Sequence, residues 1–87
     1  MGSMSGLQRA VLRLAVAAAP RADSAEAGLA ACARHLGVPS GEIATEIAAL
    51  VGAALLHDPV QLPDGALHCH WRLQATQSGR DAAKEYT

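Results

Sequence analysis

The sequence predicts a small α+β domain, mostly helical, in which three helices are followed by a β-hairpin and a C-terminal helix. Two observations support this prediction. Apolar residues recur at helical spacing through the first half of the chain. In the second half, Asp64-Gly65 separates two segments of alternating apolar and polar residues, which is typical of a two-residue hairpin turn. A chain of 87 residues suffices for one such domain with a thin core.

Composition and net charge limit the range of functions that the sequence is compatible with. Hydrophobic residues make up 51% of the chain, but alanine supplies much of this fraction, and the aromatic residues are only Trp71 and Tyr86. Alanine favours helix and buries little area per residue. The net charge of −1 argues against a strongly basic surface, which a tight nucleic-acid binder needs.

The ends of the chain and its cysteines predict a cytoplasmic protein without a membrane partner. Residues 1–5 are expected to be a tag remnant and a disordered start, and residues 6–87 to form one domain. No apolar run approaches the roughly 20 residues that cross a bilayer, and Arg9 and Arg13 interrupt the segment nearest to a signal peptide. Cys32 and Cys69 are expected to be free thiols.

Three helices are predicted from apolar faces and end signals. The first ends at Pro20, and Arg21-Ala22 would form a very short strand. Asp23, with Glu26 in a capping box, would begin the second helix, and Gly37 would end it. Ser40 would cap the third helix. The predicted buried faces are Leu7, Val11, Leu14 and Ala18, then Leu29, Cys32 and Leu36, then Ile43, Ile47, Leu50, Val51 and Ala54.

The hairpin is predicted to have one buried and one solvated face. Pairing outward from Asp64-Gly65 sets Leu62 opposite Leu67 and Val60 opposite Cys69. These residues would share the buried face with Trp71, Leu73 and Ala75, whereas the solvated face would carry His57, Pro59, Gln61, His68, His70 and Arg72. Thr76 would cap the last helix, which would pack through Ala82, Ala83 and Tyr86.

In their order along the chain, these features resemble the winged helix-turn-helix superfamily, in particular bacterial regulators of the MarR, PadR and ArsR kinds. The matching residues are Leu29-Ala30, Leu36-Gly37-Val38-Pro39-Ser40, Leu50, Ala54-Leu55-Leu56, Asp64-Gly65, Trp71-Arg72-Leu73 and Thr76-x-x-Gly79-Arg80. The resemblance implies a single winged-helix domain and a small DNA-binding transcriptional regulator, acting as a homodimer on double-stranded DNA.

The same resemblance assigns roles to individual residues. The third helix would be the recognition helix, with Ser40 and Thr45 contacting DNA, while Arg34, His68 and Arg72 would contact phosphates. Dimerisation would use the first or the last helix. The outward face of the third helix carries two carboxylates, Glu42 and Glu46, and no cation. This departs from DNA-binding members of the superfamily.

Two alternative functions remain open. The acidic third helix, through Glu42, Glu46 and Ala49, would suit a non-enzymatic module that binds another protein. A metal ion is a weaker alternative, with His57, His68 and His70 on one hairpin face and Cys32 and His35 at helical spacing. No catalytic motif or cofactor site is predicted, and so small a domain is expected to lack room for a substrate pocket.

Overall fold

The computed structural model describes residues 5–59 and 71–85. Within them the protein is a mostly helical α+β domain with four helices and a two-stranded antiparallel sheet. No described helix is both long and apolar enough to cross a bilayer. The elements are α1 (Gly6–Ala18), β1 (Arg21–Ala22), α2 (Ala25–Leu36), α3 (Ser40–Gly52), β2 (Trp71–Arg72) and α4 (Gln77–Lys84).

Helix α1 begins at a capping box that the sequence analysis did not recognise. The Ser5 hydroxyl accepts from the Gln8 N–H, and the Gln8 side chain accepts from the Ser5 N–H, each at 3.1 Å. The predicted buried face is partly wrong, because Leu12 is fully buried and Ala18 is exposed. Because helix α1 packs against both α3 and α4, the side that it buries consists of Val11, Leu12 and Ala15.

Helix α2 confirms its predicted end but not its predicted start. The N-cap is Ser24, whose hydroxyl accepts from the Ala27 N–H at 3.1 Å, so the capping box predicted at Asp23 does not form. Cys32 is buried as predicted. Gly37 has a left-handed φ of 71° and donates its N–H to the Ala33 carbonyl at 2.8 Å, which ends the helix as predicted.

Helix α3 follows after a short turn. The prediction that Ser40 caps this helix is wrong, since Pro39 is the N-cap and no side chain caps the first turn. Ile43, Ile47 and Leu50 are buried as predicted. Ala54 lies beyond the helix, exposed and with a left-handed φ of 62°, so it is not part of the α3 face.

The short strand predicted at Arg21-Ala22 is confirmed. It pairs antiparallel with β2, which sets Arg21 opposite Arg72 and Ala22 opposite Trp71. Residues 60–70 lie outside the described part, so the turn at Asp64-Gly65 and the pairs Leu62–Leu67 and Val60–Cys69 stay predictions.

The base of the predicted hairpin shows a different register. Pairing outward from a turn at Asp64-Gly65 would set Leu56 opposite Leu73, but Leu56 bridges to Ala75. A shift of two residues preserves the faces of a strand. Trp71, Leu73 and Ala75 are therefore buried, as predicted.

Pro59 contradicts the predicted solvated face. It is buried rather than exposed, and its carbonyl accepts from the Arg72 N–H at 3.1 Å. Its ring lines an apolar groove beside Trp71. His57 on the same segment is exposed, as predicted.

The core depends on contact between Trp71 and Gly28 of α2. Trp71 is only 2% exposed, and a Cβ atom at position 28 would overlap the Cε3 and Cδ2 atoms of its ring. The only side chain that fits at position 28 is therefore hydrogen. The other buried core residues are Val11, Leu12, Ala15, Cys32, Ile43, Ile47, Leu50, Leu56, Leu73, Ala75 and Ala83.

The start of α4 is attached to the segment after α3. Thr76 caps α4 as predicted, accepting from the Gly79 N–H at 3.0 Å, while its hydroxyl donates to the Ala54 carbonyl at 2.7 Å. A Cβ at Gly79 would overlap the Leu55 carbonyl oxygen. The Thr76-x-x-Gly79 pattern thus combines a helix cap with a close backbone approach. Ala83 is buried, and Tyr86 lies outside the described residues.

We expect Gly28→Ala to destabilise the domain, because the added methyl group overlaps the indole ring of Trp71. Overpacking of this kind costs about 1–3 kcal/mol. Urea unfolding followed by the fluorescence of Trp71, the single tryptophan, measures the change. Gly52→Ala is the matched control. No atom lies within 4 Å of a Cβ built there, so it should be neutral or stabilising. Equal stability of the Gly28→Ala variant and the wild type would contradict the packing.

Candidate nucleic-acid and partner-binding surfaces

The outward face of α3 carries the residues predicted to contact DNA or a protein partner. Ser40, Glu42, Thr45 and Ala49 are exposed, and Glu46 is half-buried. The Thr45 hydroxyl donates to the Gly41 carbonyl at 3.0 Å, so its proton is engaged within the helix and its oxygen is left as an acceptor. Since α3 contains two carboxylates and no cation, its own charge repels phosphate.

Arg34 lies exposed in the last turn of α2, beside the exposed His35. A cation there interacts favourably with the carbonyl end of the helix dipole. This interaction explains a cation at position 34 without a bound ligand. The position also borders the turn that leads into α3.

Arg72 is half-buried on β2, directly opposite the exposed Arg21 on β1. Directly opposed residues of an antiparallel pair project from the same face of the sheet, and like charges placed there are destabilising. The Nε atom of Arg72 is buried and has no hydrogen-bond partner in the described part of the chain. An anion that contacts both arginines would offset the repulsion between their charges.

Arg21 was not among the predicted site residues, since Arg21-Ala22 was predicted only as a short strand. The sequence does not show which residues of β1 and β2 pair. With Trp71 buried, Arg72 lies on the opposite face of β2, and the pairing of the two strands then sets Arg21 beside it.

An apolar groove of about 420 Å³ runs along one side of α3. Ligand sites usually measure about 300–1,000 Å³, and this open groove falls within that range of volumes. Asp58 is the one acidic residue among those lining it. We call this groove the α3 groove. Its lining residues are Leu29, Ala44, Ile47, Ala48, Val51, Gly52, Asp58, Pro59 and Trp71.

The described residues do not assemble a metal site. Cys32 is buried in the core whereas His35 is exposed, so the two do not converge as a half-site. His57 is exposed, and its backbone N–H donates to the Gln74 carbonyl at 2.9 Å. Among the residues the structure describes, no three His, Cys, Asp or Glu side chains could hold a metal ion together. His68 and His70 lie outside these residues, so their predicted roles in metal or DNA binding stay predictions.

Comparison with known proteins identifies no relative, since no protein-family model, no curated protein and no solved structure matches the chain.

Burial raises the pKa of the Cys32 thiol, because desolvation disfavours the thiolate. The stability contributed by the neutral buried thiol is fully present below the unfolded-state pKa, about 8.5. It is lost as pH rises through the higher folded-state pKa. In a Cys69→Ser background, we expect the free energy of unfolding to fall more steeply above about pH 8.5 with Cys32 than with Cys32→Ala. Parallel pH profiles for the two proteins would contradict this prediction.

Proposed function

We propose that this chain is a winged-helix domain that binds double-stranded DNA as a small bacterial transcriptional regulator. The order of elements supports the proposal: β1 precedes α2, a short turn joins α2 to α3, and β2 and the Thr-capped helix α4 follow. The observation that carries it is the Arg21–Arg72 pair, in which two arginines lie directly opposite each other with their side chains on the same face of the sheet.

The arginine pair suits a phosphate backbone. Guanidinium groups form bidentate, charge-assisted hydrogen bonds with phosphate oxygens. DNA places such oxygens at regular intervals along its backbone. Because each phosphate group has more than one acceptor oxygen, a single phosphate can accept from both side chains. Contacts of this type position a protein on DNA and carry no sequence information.

Sequence reading, in this proposal, falls to α3. Ser40 and Thr45 lie exposed and offer hydroxyl groups to bases, and Glu42 can accept from the amino group of cytosine. Its carboxylates also repel phosphates, so we expect modest affinity that depends strongly on salt. Homodimerisation would supply a second contact one helical turn away on the DNA.

Replacing either arginine by glutamine should weaken DNA binding at every sequence. The slope of log K against log salt is negative, and each lost phosphate contact makes it less steep by about 0.9. Fluorescence anisotropy with a labelled mixed-sequence duplex, titrated from low to moderate salt, measures the slope for Arg21→Gln and Arg72→Gln.

Arg80→Gln on α4 is the matched control for this experiment, because it removes the same charge away from the sheet. Its slope should equal that of the wild type. An equal loss in all three variants would show a general charge effect and contradict the assigned contacts. If the wild type shows no salt-sensitive association at low ionic strength, the DNA-binding proposal fails.

A second candidate function is the binding of a partner protein at α3. Two observations favour it: the exposed α3 face lacks cations, and the adjoining α3 groove is apolar. Ala44 and Ala48 line that groove, while Glu42 and Ala49 lie exposed on the same helix. An occupant with apolar side chains and a basic edge would complement this surface.

Charge reversal on α3 separates the two functions by the sign of its effect. Glu42→Arg and Glu46→Arg should strengthen DNA binding by roughly tenfold each if α3 faces phosphates, because each replaces repulsion by attraction. If α3 binds a partner protein, the same two variants should reduce the recovery of that partner in quantitative affinity capture. Arg80→Gln is the control, and it should leave the recovery unchanged. Variants that change neither readout would exclude α3 as the binding surface for both functions.

A further inference from the structure

A second groove lies on another part of the domain, between α1 and α4. Its volume is about 410 Å³, and we call it the α1–α4 groove. Neither the DNA contacts assigned to the sheet and α3 nor the α3 alternative involves the residues of this surface. Its lining residues are Arg13, Val16, Ala17, Arg80, Ala83 and Lys84.

The lining combines an apolar floor with basic edges. Val16 is 41% exposed and is the large hydrophobic side chain most open to solvent within the described ranges 5–59 and 71–85. Ala17 and Ala83 continue the apolar surface. The other three lining residues are cations contributed by both helices, and none of the six is acidic.

The charge of this surface is opposite to that of α3. Helix α1 contains no acidic residue. On α4, a carboxylate oxygen of Asp81 lies 3.9 Å from the Lys84 ammonium and offsets part of its charge. Both side chains of that pair are exposed, so the attraction between them is weak.

We infer that the α1–α4 groove binds an acidic amphipathic helix of a partner protein. An apolar stripe on such a helix would cover Val16 and the alanines, and flanking carboxylates would meet the cations at the edges. This is the arrangement in which a helix lies in a groove formed by two others. Complementary charge at the edges speeds association and selects acidic helices over basic ones.

The charge pattern disfavours a second copy of the chain as the occupant. Two-fold pairing of identical grooves would bring their like-charged edges together. Docking the acidic α3 of another copy would be a head-to-tail contact, which propagates into filaments unless it closes a ring. The apolar face of α3 is also buried in its own core.

A designed peptide tests the inference directly. The probe is a fluorescein-labelled helix of about 18 residues, long enough to be helical in part, with leucine at helical spacing and glutamate on its flanks. One control peptide has the same composition in scrambled order. A second carries lysine in place of glutamate. Fluorescence anisotropy should show saturable binding of the probe alone, and amide chemical-shift changes should be confined to α1 and α4.

Variants of exposed residues identify the groove without endangering the fold. Arg80→Glu should weaken peptide binding by about tenfold, and Val16→Ser by about threefold. Arg34→Glu makes the same charge reversal at an exposed residue of α2 that does not line the groove, and it should weaken peptide binding less than Arg80→Glu does. Circular dichroism checks that each variant is folded.

Several outcomes would overturn the inference. Equal binding of the scrambled peptide, or shift changes centred on α3, would place the interaction elsewhere. Concentration-dependent dimerisation that Val16→Ser abolishes would identify a second copy as the occupant. Binding to vesicles of anionic phospholipid, with no binding of the peptide, would identify a membrane surface instead. Failure of the peptide experiment leaves the DNA contacts of the proposed function intact, because those contacts lie on the sheet and on α3.

Discussion

The packing of Trp71 against Gly28 is the contact on which the rest of the structure depends. Most buried core residues are aliphatic, and Trp71 is the one aromatic side chain among those described. The indole joins the sheet to α2 at a place where only glycine fits. Because this contact turns Trp71 inward, the neighbouring Arg72 must project from the opposite face of β2, and β1 then places Arg21 beside it. The packing of one core residue thus creates the most strongly cationic feature of the sheet.

A second constraint positions the last helix. Thr76 donates its hydroxyl proton to Ala54 and its backbone N–H to Leu55, and Gly79 allows the Leu55 carbonyl to approach the first turn of α4. These contacts orient α4 relative to the end of α3. Because α1 packs against both helices, they also determine the walls of the α1–α4 groove. A short polar motif that looks like a simple helix cap therefore shapes a surface elsewhere in the domain.

The net charge of −1 conceals an uneven distribution. Helix α3 carries two carboxylates and no cation, whereas cations occur as a pair on the sheet and along the α1–α4 groove. Total charge therefore says little about which partner each face accepts. In our proposals the sheet contacts phosphate, α3 reads bases or a protein, and the α1–α4 groove takes an acidic helix.

Sequence by itself determined the helices, the face of β2 and the caps at Gly37 and Thr76, because periodicity and cap chemistry act over a few residues. It placed the caps of α2 and α3 one residue off. It did not predict the burial of Leu12 and Pro59, or the two-residue shift that pairs Leu56 with Ala75. The close approaches at Gly28 and Gly79, the Arg21–Arg72 pair and both grooves were decided by tertiary structure alone. Each joins residues distant in sequence, and such contacts depend on how whole elements pack against one another.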